Sequence, residues 1–187
     1  LIKREGRPSE EAILSGRLVD RAIRPLFDEN LRKDVQVILT ALSFDGEVDS
    51  QIPAMIAASI ALTISPIPWQ GPIAGVRVGQ IDGQWKINTT IAEREISNVD
   101  IVVAGTPEKL IMVEAGCNET PEEQVIEAMQ FGAKATAPVL DFINKIQKEV
   151  GQTKFNLSEA EDEKETELKK VEKEADELVA SHVEDWI

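Results

Sequence analysis

The chain has 187 residues, 42% hydrophobic and 29% charged, enough to build a packed core and unlike the composition of a disordered segment. With 20 Lys+Arg against 34 Asp+Glu the formal net charge is -14, which excludes a nucleic-acid reader that works by bulk positive charge but not a local basic patch. One cysteine, Cys117, excludes an intrachain disulfide and fits a reducing compartment, and one histidine, His182, excludes His-rich metal sites and argues against a Ser-His-Asp triad.

In chain order, the first element read from the sequence is a helix from Ser9 to about Phe27. Glu10 and Glu11 suit its positive start, Ile13, Leu14, Leu18, Ala22 and Ile23 supply apolar faces, and Pro25 ends it. Val35 to Leu42 is β-rich and predicts a strand closed by Asp45-Gly46. Ile52 to Ile64 is small and apolar nearly all round, the pattern of a helix buried against a sheet, and Ser65-Pro66-Ile67-Pro68 stops it. Ala74–Ile81 and Gln84–Asn88 flank Asp82-Gly83, a dipeptide favoured in tight hairpins. Asp100–Ala104 and Leu110–Ala115 form a second pair of strands. Thr120-Pro121-Glu122-Glu123 predicts a helix start with Thr as its cap, and the helix runs toward Val150, kinked or split by Pro138. The sum is an α+β domain over residues 1–150, with helices packed on an antiparallel or mixed sheet. Residues 151–187 form a second, α-helical unit: Ser158 to Ile187 is Glu/Lys-rich with Leu168, Val171, Ala175, Leu178 and Val179 as one apolar stripe. No apolar run reaches the roughly 20 residues that span a bilayer. The start at Leu1 rather than at Met is what a piece of a longer polypeptide would show.

The charge is uneven. Up to Asp34 there are 8 basic against 7 acidic residues, a net of +1, whereas from Ser158 onward 4 Lys face 12 Asp+Glu, a net of -8. Arg17, Arg21 and Arg24 sit at i, i+4 and i+7 of the first helix, a stripe roughly 60° wide. Guanidinium groups keep their proton and fork onto phosphate oxygens, so such a stripe suits a phosphodiester backbone. The same spacing also describes a solvated face neutralised by Asp20, Glu10 and Glu11. Lys3, Arg4 and Arg7, just upstream, enlarge the cluster to six cations. Other constellations are weaker. Asp45, Glu47 and Asp49 alternate in a turn but lack the calcium-loop pattern, so they read as a solvated turn. Gly71-Pro72-Ile73-Ala74-Gly75 lacks the Gly-Lys-Ser/Thr ending of a phosphate loop. Cys117 reads as an ordinary loop or core thiol and His182 as exposed. Three Trp and no Tyr argue against an aromatic sheet that stacks bases. No catalytic constellation and no metal site emerge from the residues.

The motifs themselves carry a resemblance. Lys3-Arg4-Glu5-Gly6-Arg7-Pro8-Ser9-Glu10, Ser15-Gly16-Arg17-Leu18-Val19-Asp20-Arg21 and Ile23-Arg24-Pro25-Leu26-Phe27 closely resemble the first core domain of the polynucleotide phosphorylase family. The resemblance continues in Val35-Gln36-Val37, Gly71-Pro72-Ile73, Val76-Arg77-Val78-Gly79, Val102-Val103-Ala104-Gly105-Thr106 and Met112-Val113-Glu114. It implies an RNase PH-like core domain (ribosomal protein S5 domain 2-like) whose opening strands are missing, followed by the start of a helical linker. It further implies a ring of three chains that degrades RNA from the 3′ end with phosphate, releases nucleoside diphosphates and can run in reverse. Catalytic residues are then expected in a second core domain outside this chain, with Mg2+ and inorganic phosphate serving the full-length enzyme and none expected on this fragment. By resemblance Lys3 and Arg4 fall on a channel loop, Arg17, Arg21 and Arg24 on an arginine helix, and Leu1-Ile2 replaces an aromatic pair, exchanging base stacking for apolar narrowing. Implied partners are RNA, two further copies of the chain and degradosome-type proteins, in the cytoplasm and off the membrane. Two rival expectations are a non-catalytic RNase PH-like ring subunit of an exosome-type complex, and arginines that serve only as intersubunit ion-pair partners.

Overall fold

The computed structural model describes residues 6, 8–29, 31–156, 170–177 and 179. Its elements in order are α1 (Glu10–Ile23) with a 3-10 turn (Arg24–Leu26), α2 (Gln51–Ile64), β1 (Ala74–Ile81), β2 (Gln84–Ile87), α3 (Ile91–Ile96), β3 (Val99–Gly105), β4 (Leu110–Cys117), α4 (Glu122–Ala135) and α5 (Ala137–Val150). The strands form one sheet in the order β2-β1-β3-β4, every pairing antiparallel, which settles the choice left open between antiparallel and mixed.

The sheet's period-two alternation splits its side chains between two cores. On one face Val102 and Ala104 of β3 and Met112 of β4 meet Leu18, Val19, Ala22 and Ile23 of α1 and Ile52, Met55, Ala58 and Leu62 of α2. On the other, Val76, Val78, Ile101 and Val103 meet Ala128 of α4, flanked by Val125 and Met129. The small residues of α2 let it lie flat on its face, and Gly132 does the same for α4: a Cβ there would stand 2.4 Å from Val103 Cγ2. Asp82 and Gly83 both take positive φ (50° and 75°), the geometry of the two-residue hairpin turn that matches strand twist.

Three expectations are corrected, and one element is new. Val35–Leu42 forms no ladder. Val35 and Val37 pack against the α1/α2 core, but Ile38, Leu39 and Leu42 are exposed, as is Phe44 just beyond, because no strand edge among the described residues pairs with their backbone. Ile13 and Leu14 face solvent rather than core, since they lie on the arginine side of α1. Thr120 does not cap α4; Pro121 holds that position while the Thr120 hydroxyl donates to the Asn98 carbonyl at 3.3 Å. The short helix α3 was not anticipated, although Thr90-Ile91-Ala92-Glu93 closes a full capping box at its start. Pro138 does split the last helix, since α5 begins at Ala137.

The structure divides into Leu1–Lys154 and Phe155–Ile187. In the second unit residues 170–177 are helical, Lys173 and Glu177 lie 4.0 Å apart at i,i+4, and Val171 and Val179 of the expected stripe are exposed. Leu168, Leu178, His182 and Trp186 lie outside the described residues.

Candidate nucleic-acid interface

Helix α1 is fixed at its start by Ser9, whose hydroxyl accepts from the Ala12 N–H, and at its end by Trp69, whose indole N–H donates to the Ile23 carbonyl. Its buried residues Leu18, Val19, Ala22, Ile23 and, in the following turn, Leu26 all point at α2 and the sheet. The opposite side is thereby committed to solvent, and there Arg17, Arg21 and Arg24 emerge together. With Asp20 and Pro25 they line one open, shallow depression of about 530 Å³.

The three guanidiniums are held differently. Arg24 is clamped along one edge by Asp20, Nε donating to Oδ1 at 3.1 Å and Nη2 to Oδ2 at 2.5 Å, and that hydrogen-bonded carboxylate holds its pKa above the ordinary value. Arg21 reaches across to β4, where Nη1 donates to Glu114 Oε2 at 2.7 Å and Nη2 to the Val113 carbonyl at 3.4 Å. Arg17 has no partner among the described residues. Exposed, solvent-screened pairs add little to stability, so their main effect is on orientation. A guanidinium has five N–H donors; Arg21 and Arg24 each use two and keep three for an incoming anion. Asp20 was expected to neutralise this face and does so in part; among the described residues Glu10 and Glu11 pair with none of the three arginines. Glu114 went unnoticed as a site residue, since nothing in the chain order links it to a helix 93 positions away. Lys3, Arg4 and Arg7, the other cations assigned to RNA, lie outside the described residues.

A second charged cluster was missed altogether. Arg77, inside the apolar strand β1 and only 7% exposed, donates from Nη1 to both oxygens of Asp100 at 2.7 Å and from Nη2 to Asp49 and Gln51. Arg94 of α3 joins Asp49 at 3.1 Å. Charges balance, and the cluster ties the start of α2 to β1, α3 and β3. The available signal was an arginine flanked by valines in a strand, which requires a buried acid opposite it. Asp49 is accordingly no part of a solvated turn. Asp45 accepts from the N–H groups of Glu47 and Val48, which hold its carboxyl below the ordinary value. Cys117 is exposed at the end of β4 rather than in a loop or the core. Among the described residues no group of three His, Cys, Asp or Glu is placed to hold a metal ion.

Comparison with known proteins decides the family. The model for "3′ exoribonuclease family, domain 1" matches residues 2–68 and that for "domain 2" of the same family matches residues 71–135. The chain belongs to the 3′ exoribonuclease family. Curated relatives agree: the polyribonucleotide nucleotidyltransferase of Oceanobacillus iheyensis is 51% identical over 164 residues, covering 88% of this chain and 23% of the relative. That of Alkaliphilus oremlandii is 52% identical over 153 residues, covering 82% and 22%. The chain thus spans under a quarter of the length of the curated relatives it matches. A solved structure, rice (Oryza sativa) Rrp46, shares the fold with a TM-score of 0.61 at 16% identity, covering 76% of this chain and 69% of the other. The α+β architecture of an antiparallel sheet under packed helices is therefore the RNase PH-like fold of this exoribonuclease family. Among the described residues no helix is long and apolar enough to cross a membrane.

Proposed function

We propose that this chain is part of a polyribonucleotide nucleotidyltransferase (EC 2.7.7.8), a 3′-to-5′ exoribonuclease that degrades RNA by phosphorolysis to nucleoside diphosphates and can run in reverse. Residues 1–150 are its first RNase PH-like core domain and 151–187 the start of its helical linker. This segment positions RNA and contributes ring contacts, while the bonds to phosphate are exchanged in a second core domain. The observation that carries the reading is the convergence of Arg17, Arg21 and Arg24 on one open face. Permanent cations with free N–H donors hold phosphodiesters wherever they fall in the sequence, which is what a processive nuclease without sequence preference needs. Lys3, Arg4 and Arg7, just upstream in the sequence, are assigned to RNA by the family resemblance. Relatives at about half identity, named for this activity, support the reading.

The full-length protein on this reading uses Mg2+ and inorganic phosphate, assembles as a homotrimer, meets degradosome-type protein partners and works in the cytoplasm, in keeping with a single unpaired thiol. In the full-length protein, Arg21→Glu with Arg24→Glu should weaken RNA binding at least about tenfold and slow phosphorolysis in parallel, since charge-assisted hydrogen bonds are worth about 1.5–3 kcal/mol each. Unchanged affinity and unchanged turnover in that variant would remove RNA positioning from this helix.

A further inference from the structure

We infer that Glu114, on strand β4, is a positioning residue for RNA: its carboxylate fixes the Arg21 guanidinium in the orientation that receives a phosphodiester. The inference rests on the reading of the arginine face given above. An acid in a polyanion-binding face is unfavourable on charge alone, because it cancels one of three cations and repels the ligand. The geometry gives it another use. Arg21 is about half exposed, and a long side chain so placed samples many rotamers unless something holds it. Two acceptors on β4 hold it: Glu114 Oε2 at 2.7 Å and the Val113 carbonyl at 3.4 Å, on different terminal nitrogens. Contacts to both nitrogens fix the plane of the fork as well as its place. Asp20 does the same for Arg24 by contacts within one helix turn. Glu114 differs in that it ties the arginine to the sheet, so the helix and the sheet register Arg21 jointly.

Two effects oppose each other when Glu114 is replaced, and they differ in sign. Removing the negative charge should tighten RNA through Coulomb attraction. Releasing the Arg21 fork should weaken RNA, because ordering a rotamer-rich side chain on binding costs about 0.5–1.5 kcal/mol, or about 2–12-fold in affinity. We expect positioning to win. In the full-length protein, Glu114→Ala should weaken binding of a single-stranded RNA about 2–12-fold and make the slope of log affinity against log salt shallower, up to about 0.7 for one lost phosphate contact. Glu114→Gln keeps an acceptor oxygen without the charge and should restore affinity to within about twofold of the parent, a rescue that a purely electrostatic or purely structural role would not give. Affinity that is unchanged or raised in Glu114→Ala, or a Glu114→Gln no better than Glu114→Ala, overturns the inference. Arg21→Ala serves as the reference: weaker binding there with no loss in Glu114→Ala refutes positioning alone, whereas no loss in Arg21→Ala removes the RNA-binding reading and the inference with it.

Discussion

Single side chains decide how several of these helices end. Lys154 donates from Nζ to the carbonyls of Leu62, Thr63 and Ser65 at 2.7–3.0 Å, closing the C-terminal turn of α2 that its apolar sequence cannot close by itself. Burial lowers its pKa, but the three carbonyls favour the charged form. Lys154→Met keeps the stem and removes the donors. It should cost about 1–2 kcal/mol, less than three hydrogen bonds imply because helix-end carbonyls regain water, and lower the melting temperature by about 2–8 °C in a thermal melt. Glu93 gives a pH signature instead. The Lys86 ammonium, then the Thr90 N–H, hold its carboxyl below the ordinary 4.5. A depressed carboxylate stabilises the fold fully above its ordinary value and loses that contribution as pH falls through the folded value. The melting-temperature advantage of the parent over Glu93→Gln should therefore be constant near neutrality and shrink below about pH 4.5, as read from melts in a pH series.

Between elements, the contacts that matter most join positions remote in the chain, and this sets what the sequence could disclose. Helices α1, α2, α4 and α5 and all four strands were legible because each carries a local signal: a periodic apolar face, the Asp82-Gly83 turn, or Pro138 dividing two helices. The arginine stripe was legible for the same reason, as an i, i+4, i+7 spacing within one helix. Glu114 and the Arg77 cluster were not, since pairing across 93, 28 or 23 positions leaves no periodic trace. Val35–Leu42 misled because strand propensity describes side chains, while a strand exists only with a backbone partner. The hidden contacts carry large energies. Arg77→Met leaves Asp49 short of one partner and Asp100 without its guanidinium in a mostly buried setting, and should cost about 3–5 kcal/mol by chemical denaturation. Gly132→Ala weighs two effects against each other. Alanine gains about 1 kcal/mol of helix propensity, but its Cβ would meet the Cγ2 atoms of Val103 and Val78 at 2.4 and 2.8 Å, and β-branched side chains cannot turn aside easily. Overpacking of about 1–3 kcal/mol should prevail, giving a net loss of about 1 kcal/mol in the same measurement.

For the whole molecule the governing fact is a net charge of -14 on a chain read here as gripping a polyanion. The two are reconciled by range. At physiological salt the Debye length is about 8 Å, so acidic residues farther than that from a bound phosphate are largely screened, while guanidiniums in contact with it are not. Binding governed by the overall charge and binding governed by the local face then answer differently to one experiment. Arg17→Ala, Arg21→Ala and Arg24→Ala together move the net charge only from -14 to -17, a small fractional change in the global field. Among the described residues these three arginines are the cations that line the depression. If the face grips three phosphates of a single strand, the slope of log affinity against log salt in the full-length protein should become shallower by about 2, at about 0.7 per phosphate. A slope that does not move would mean that RNA is held by cations elsewhere, since each phosphate gripped by this face would release counterions condensed on the RNA. Titrating a labelled RNA between about 50 and 200 mM salt separates the two, because this window spans the range over which phosphate-contact binding changes most steeply.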